Sequence, residues 1–171
     1  MTAMFVIVMG VTGSGKSTIG KLLADRLGLS FHNADDFHSA ANRAKMAHNI
    51  PLEDADRWPW LELLAKLSVA WEAQGGAVLA CSALKQAYRD LLLADVPNHH
   101  LVYLELSRHS AAVRLEARRG HHEFVRDFDH LLDGQFRDLE PPKHAIVISA
   151  ELSPAEIVER AAAALSTVPN H

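Results

Sequence analysis

Phe5-Val-Ile-Val-Met9, followed without a break by Gly10-Val-Thr-Gly-Ser-Gly-Lys-Ser17, decides the fold. The first five residues are apolar and rich in β-branched side chains, the composition of a strand covered on both faces in a parallel sheet. The next eight fit G-x-x-x-x-G-K-[ST], directly after that strand and directly before an amphipathic helix, where such a motif has to stand to work. Gly10, Gly13 and Gly15 let the backbone turn tightly with its N–H groups inward, a nest for phosphates at the positive end of the following helix. Thr12, Ser14 and Thr18 are further candidate nucleotide contacts. Lys16 supplies a point charge to the β and γ phosphates, and the Ser17 hydroxyl is a candidate Mg²⁺ ligand. The loop alone leaves open whether the nucleotide is a substrate, a switch or a structural ligand, but no N-K-x-D guanine motif occurs.

Outward from this loop the pattern repeats. Ile19, Leu22, Leu23 and Leu27 fall at helical spacing, and Gly28 can close that helix in a left-handed conformation. Short strands are expected at Ser30 to His32, Ala77 to Cys81, Leu101 to Leu106 and Ala145 to Ser149, with helical patterns between them. Trp60, Leu64, Leu67 and Trp71 form one apolar stripe that Gly75-Gly76 ends, and Ser153-Pro154-Ala155-Glu156 has the form of a capping box. Alternating strands and helices imply an α/β domain with a parallel sheet and helices on both faces. Arg118 to Phe128 is polar, basic and aromatic without a period, a lid or an ordinary surface loop.

The 171 residues are 49% apolar and 22% charged, with a net charge of -4, which describes one globular domain over residues 1–171. The acidic balance argues against a nucleic-acid partner. No stretch approaches the ~20 apolar residues that span a bilayer, and the single cysteine, Cys81, forms no intrachain bridge, so a cytoplasmic protein is expected. Eleven histidines invite a metal hypothesis, but His99-His100 and His121-His122 are adjacent pairs without zinc-ligand spacing.

His32-Asn-Ala-Asp-Asp-Phe-His38 follows the second expected strand, so its side chains emerge at the sheet edge that carries the phosphate loop. Asp35 is placed to accept a proton from an attacking hydroxyl, and Asp36 to orient neighbours or reach the metal through water. An Asp-Asp pair is also an ordinary helix N-terminus.

The longer string Asp35-Asp-Phe-His38, Asn42, Lys45-Met46, Pro51-Leu52, Asp56-Arg-Trp-Pro-Trp-Leu61 resembles the gluconokinase family, small P-loop kinases that phosphorylate D-gluconate with ATP. Cys81-Ser-Ala-Leu-Lys-Gln-Ala-Tyr-Arg-Asp90, Arg114 to Arg118, Gly120-His121, Gln135-Phe136 and Leu139-Glu-Pro141 continue the likeness, which runs from about Phe5 to Ile148. The resemblance implies a three-layer P-loop NTPase fold of nucleoside-kinase type, with a five-stranded parallel sheet in the order 2-3-1-4-5, a lid near 118–128, and a homodimer. It also implies a sugar-acid pocket with His38 and Lys85. Arg57, with its planar fork, suits the substrate carboxylate, or else pairs with Glu53 or Asp54. Arg118 neutralises charge in transfer and Arg114 stacks on adenine, unless both merely oppose a helix dipole. Arg89 reaches the pocket or covers a helix flank.

Several positions depart from the family string. Asn33 stands where an acidic residue is frequent, which touches a water-mediated hold on Mg²⁺. His48-Asn49 replaces a segment with glycine, and Asn tolerates the positive φ such a turn needs. Ser39, His122 and Gly134 replace a proline, a phenylalanine and a serine. The reading is ATP-dependent phosphorylation of D-gluconate at C6, with Lys16, Asp35 and Arg118 catalytic. The alternatives are a related kinase for another sugar acid or shikimate, and a non-catalytic nucleotide-binding regulator.

Overall fold

A computed structural model describes residues 3–119 and 128–169. Five strands, β1 (Phe5–Met9), β2 (Ser30–Asn33), β3 (Ala77–Ala80), β4 (His99–Glu105) and β5 (Ile146–Ser149), form one sheet. All pairings are parallel and the order is β2-β3-β1-β4-β5, as the resemblance implies. The observed ends differ from the sequence expectation by one or two residues. β4 starts at His99 rather than Leu101 because Phe5 and Val6 of β1 pair with His99 and His100.

The helices are α1 (Lys16–Leu27), α2 (Ala40–Ala47), α3 (Asp54–Ala73), α4 (Gln86–Leu93), α5 (Arg108–Arg119), α6 (Phe128–Asp138) and α7 (Pro154–Thr167). Side chains of β1 alternate between two cores. Val6 and Val8 join Val78, Val102 and Leu104 beneath α1 and α7, while Phe5, Ile7 and Met9 join Leu79, Leu101 and Tyr103 beneath α3 and α4. Gly28 closes α1 in the left-handed conformation, and Ser153 caps α7 by accepting from the Glu156 N–H. The line buried by α1 is Ile19, Gly20, Leu23 and Ala24. Leu22, expected on that face, is 41% exposed.

In α3 the fully buried line is Leu61, Leu64 and Ser68, with Trp60 and Trp71 half-buried on its flank. Asn49 takes φ 57, so the turn does survive without glycine. No helix among the described residues is long and apolar enough to cross a membrane.

Candidate active site

Parallel topology delivers the C-terminal ends of β1, β2 and β3 to one edge, and each end carries part of the site. After β1, Gly10 takes φ +156. A Cβ there would stand 2.6 Å from Ser14 Oγ and 2.9 Å from the Leu104 carbonyl, so only glycine lets the loop lie this close to β4. Gly15, at φ 92, passes the chain into α1, whose first turn has amides without intrahelical acceptors. Lys16 Nζ donates to the Val11 carbonyl at 3.1 Å, and the Ser14 N–H donates to the same oxygen at 3.1 Å. Burial pushes the Lys16 ammonium below its ordinary pKa; the Asp35 carboxylate opposes that shift, and Arg118 adds to it. Ser17 and Thr18 are exposed on the first turn, whereas the Ser14 hydroxyl is buried without a partner among the described residues.

After β2 the chain enters a 3₁₀ turn, Ala34–Phe37, capped by Asn33, whose Oδ1 accepts from the Asp35 N–H at 3.0 Å. The Asn33 Nδ2 donates to Ser17 Oγ at 2.9 Å. Asn33, singled out in the sequence only as a departure, thus joins the candidate metal ligand to the candidate base. The Asp35 side chain is 72% exposed, open to an incoming hydroxyl, and lies 3.8 Å from His38 Nε2. His38 is buried, stacked on Trp60 at 4.1 Å between ring centroids. Burial lowers its pKa, the Asp35 charge opposes this, and Arg43 and Arg57 reinforce it. Asp36 is exposed, and its carbonyl accepts from Arg43 at 2.6 Å, which fixes the turn against α2.

A cluster around Tyr88 holds the cations expected for a carboxylate. Arg57 NH1 donates to the Tyr88 hydroxyl at 3.0 Å, and that hydroxyl donates to Asp54 Oδ1. Lys85 Nζ donates to both Asp54 oxygens at 3.3 Å and stands over the Tyr88 ring. Arg57 lies 3.9 Å from Asp54 and 3.9 Å from Asp138. The Tyr88 hydrogen bond, with Lys85 and Arg57 beside it, holds the Asp54 carboxyl below its usual range. Burial pulls Lys85 down, but the Asp54 hydrogen bond and the neighbouring Tyr88 outweigh it and leave its pKa raised. Arg57 thus makes the ion pair with Asp54 that was the alternative to a substrate contact, and it stands beside Lys85 in the same cluster. Tyr88 stood in the sequence only as part of the Cys81 to Asp90 block, with no role given it, and Asp138 had no signal that separates it from a helix flank.

Two helices grip the phosphate loop from the side. Arg114 of α5 donates to the Gly13 carbonyl at 3.0 Å and to the Ala150 carbonyl at 2.5 Å. Gln135 of α6 accepts from the Thr12 N–H and donates to the Thr12 hydroxyl, each at 2.6 Å. Arg118 is exposed near the end of α5, close enough for its charge to act on Lys16. The proposed lid, with Gly120, His121 and His122, falls mostly on residues 120–127, outside the described residues. Arg89 takes neither expected role. It is 2% exposed and ties the Ala83, Leu84 and Glu140 carbonyls together, bracing the loop that leads to Lys85.

Lys16, Ser17, Asn33, Asp35 and His38 thus share one end of the sheet with Arg57 and Lys85. A family model described as shikimate kinase matches residues 12–165. The chain is 43% identical over 173 residues to a probable gluconokinase of Mus musculus, covering 89% of this chain and 92% of that protein. It is 41% identical over 159 residues to a gluconokinase of Gluconobacter oxydans (strain 621H), covering 91% and 87%. The crystal structure of a gluconokinase from Sinorhizobium meliloti 1021 superposes with a TM-score of 0.85 at 36% identity, covering 96% of this chain and 93% of that one.

Proposed function

The chain belongs to the gluconokinase family of P-loop kinases, and on that premise we propose that it transfers the γ-phosphoryl group of ATP to the C6 hydroxyl of D-gluconate, giving 6-phospho-D-gluconate and ADP. The observation that carries the reading is the convergence of a phosphate loop, an exposed carboxylate and a pair of cations at one sheet edge. Lys16 and the amides of the first turn of α1 bear the phosphates. Asp35 takes the proton of the attacking hydroxyl, its charge set against that of Lys16. Arg57 and Lys85 hold the acid's carboxylate at the far end of the acceptor, with His38 against its polyol chain. Arg118 brings positive charge to the transferring group, and Arg114 forms the edge of the adenine site.

Ser17 fits Mg²⁺, because its oxygen is a hard donor held in place by Asn33, and this ion needs few protein ligands when it arrives with a nucleotide. Among the described residues no cluster of three His, Cys, Asp or Glu offers an alternative metal centre. Bound there, the ion neutralises phosphate charge.

The test is product identification after incubation with Mg-ATP and gluconate, beside a panel of other sugar acids and shikimate. Shikimate is included because the matching family model carries that name. A phosphorylated C6 product from gluconate, at a kcat/KM above the rest of the panel, is the expected result. Equal or better turnover of shikimate overturns the assignment, and nucleotide binding without any product supports a regulator instead.

A further inference from the structure

Helix α6 touches both halves of the site. Gln135 and Asp138 are three residues apart, so they lie on one face of the helix a single turn from each other. Gln135 engages the phosphate loop and Asp138 lies 3.9 Å from the Arg57 guanidinium. Among the described residues, α6 thus places one side chain on the loop and another beside the cation cluster.

The Gln135 contact is a paired one. Both ends of a single carboxamide are spent on Thr12, one on its N–H and one on its hydroxyl, which fixes the backbone and the side chain of that residue together. The neighbouring peptides are held as well: the Val11 carbonyl by Lys16 and Ser14, the Gly13 carbonyl by Arg114. A shift of α6 therefore moves a loop that has little slack. At the other end, Asp138 is 22% exposed and also lies 3.8 Å from Arg137, so its charge is shared between the surface and Arg57. An acid seated on Arg57 shares the guanidinium with Asp138, so its arrival is transmitted to α6.

We propose that α6 couples the two substrates, Gln135 positioning the phosphate loop and Asp138 positioning Arg57, so that acceptor and nucleotide each tighten the binding of the other. The identity of the acceptor rests on the gluconate reading above; the role of α6 rests on the contacts. Coupling of this kind is reciprocal by linkage.

The experiment is calorimetric titration of a non-hydrolysable ATP analogue with Mg²⁺, with and without gluconate, in the wild type, Gln135→Met and Asp138→Asn, with melting temperatures measured alongside. In the wild type gluconate tightens analogue binding about 5-fold or more. Gln135→Met leaves the two Thr12 groups unpaired, weakens the analogue by a factor of about 10 without gluconate, and loses the coupling. Asp138→Asn binds the analogue alone like the wild type but loses the coupling. Full coupling in both variants, or none in the wild type with gluconate bound, overturns the proposal. So does a Gln135→Met protein that melts lower yet binds the analogue as the wild type does, since that is a merely structural residue. Absence of any gluconate binding to the wild type overturns the gluconate assignment, and the coupling to this acceptor with it. The Gln135 arm is read without acceptor and is judged separately.

Discussion

Asn33 donates its carboxamide N–H to the Ser17 hydroxyl at 2.9 Å while its oxygen caps the turn that carries Asp35. One side chain thereby sets both the hydroxyl proposed to face the metal and the turn that carries the proposed base. Asn33→Ala removes both functions, and loss of the cap costs about 1 kcal/mol of stability. The half-saturating Mg²⁺ concentration rises with it. Asn33→Asp retains the cap and adds a charge beside Ser17, so its Mg²⁺ requirement falls below that of the wild type. Titration of activity against Mg²⁺ at saturating ATP, with unfolding curves, checks this; an unchanged Mg²⁺ dependence in both variants rejects it.

The charge of Asp35 reaches both Lys16 and His38. Asp35→Asn keeps the volume and removes the proposed proton acceptor, so kcat falls about 10²–10⁴-fold with ATP binding nearly unchanged. Unaltered turnover assigns the role elsewhere.

Arg57 and Lys85 differ in what they offer a carboxylate. Arg57→Lys keeps the charge but loses the planar fork and the hydrogen bond to Tyr88, so KM for gluconate rises by about 10-fold while kcat changes little. A fall in kcat at constant KM places Arg57 in transfer, not in acceptor binding.

How much of this was legible in the sequence depends on the distance between partners. The loop from Gly10 to Ser17 is local, so strand, turn and helix were all readable, and with them the edge where Asp35 emerges. The face of α1 was misread at Leu22 because small residues do part of the burying: a Cβ on Gly20 would meet the Phe31 ring at 2.8 Å. The Gln135–Thr12 pair spans 123 positions and Tyr88–Asp54 spans 34, with no periodicity linking them. Such contacts are fixed only when the parallel crossovers bring separate loops to one edge. Arg89 misled for a related reason, since apart from Gln86 its partners are the backbone carbonyls of Ala83, Leu84 and Glu140, which carry no sequence signal.

Backbone strain marks the loop leading to Lys85. Ala83 takes φ 45, where a Cβ is disfavoured, and its carbonyl is pinned by Arg89 at 2.7 Å. Relief of about 1–2 kcal/mol of left-handed strain outweighs the roughly 0.4–1 kcal/mol that glycine adds to unfolded-state entropy. Ala83→Gly is therefore stabilising by about 0.5–1 kcal/mol in denaturant unfolding. Destabilisation shows that the methyl packing in this buried loop outweighs the strain.

His38 and His32 both have pKa values lowered first of all by burial. A group depressed in the folded state contributes stability above its unfolded pKa, near 6.5, and that stability is lost as pH falls through the lower folded value. The melting temperature should fall below pH 6.5, and His38→Gln should reduce the slope. An identical slope in the variant removes His38 from the account.

Cys81 tests the packing under the site. It is the single cysteine in the chain, 3% exposed at the end of β3. Burial pushes its thiol up to about 12, an N–H from Ala83 opposes that, and the charges of Asp35 and Lys16 act on it in opposite directions. At pH 8 the thiol is therefore protonated, and the thiolate is the reactive form. Iodoacetamide should therefore leave the native protein unlabelled for hours and modify it at once in urea, as mass spectrometry would record. The same shift has a sign in stability. A thiol raised in the folded state favours folding below its unfolded pKa, near 9.0, and that contribution is lost as pH rises toward 12. Cys81→Ala should flatten the alkaline limb of the stability curve, and rapid labelling of the native thiol at pH 8 contradicts the burial on which the argument depends.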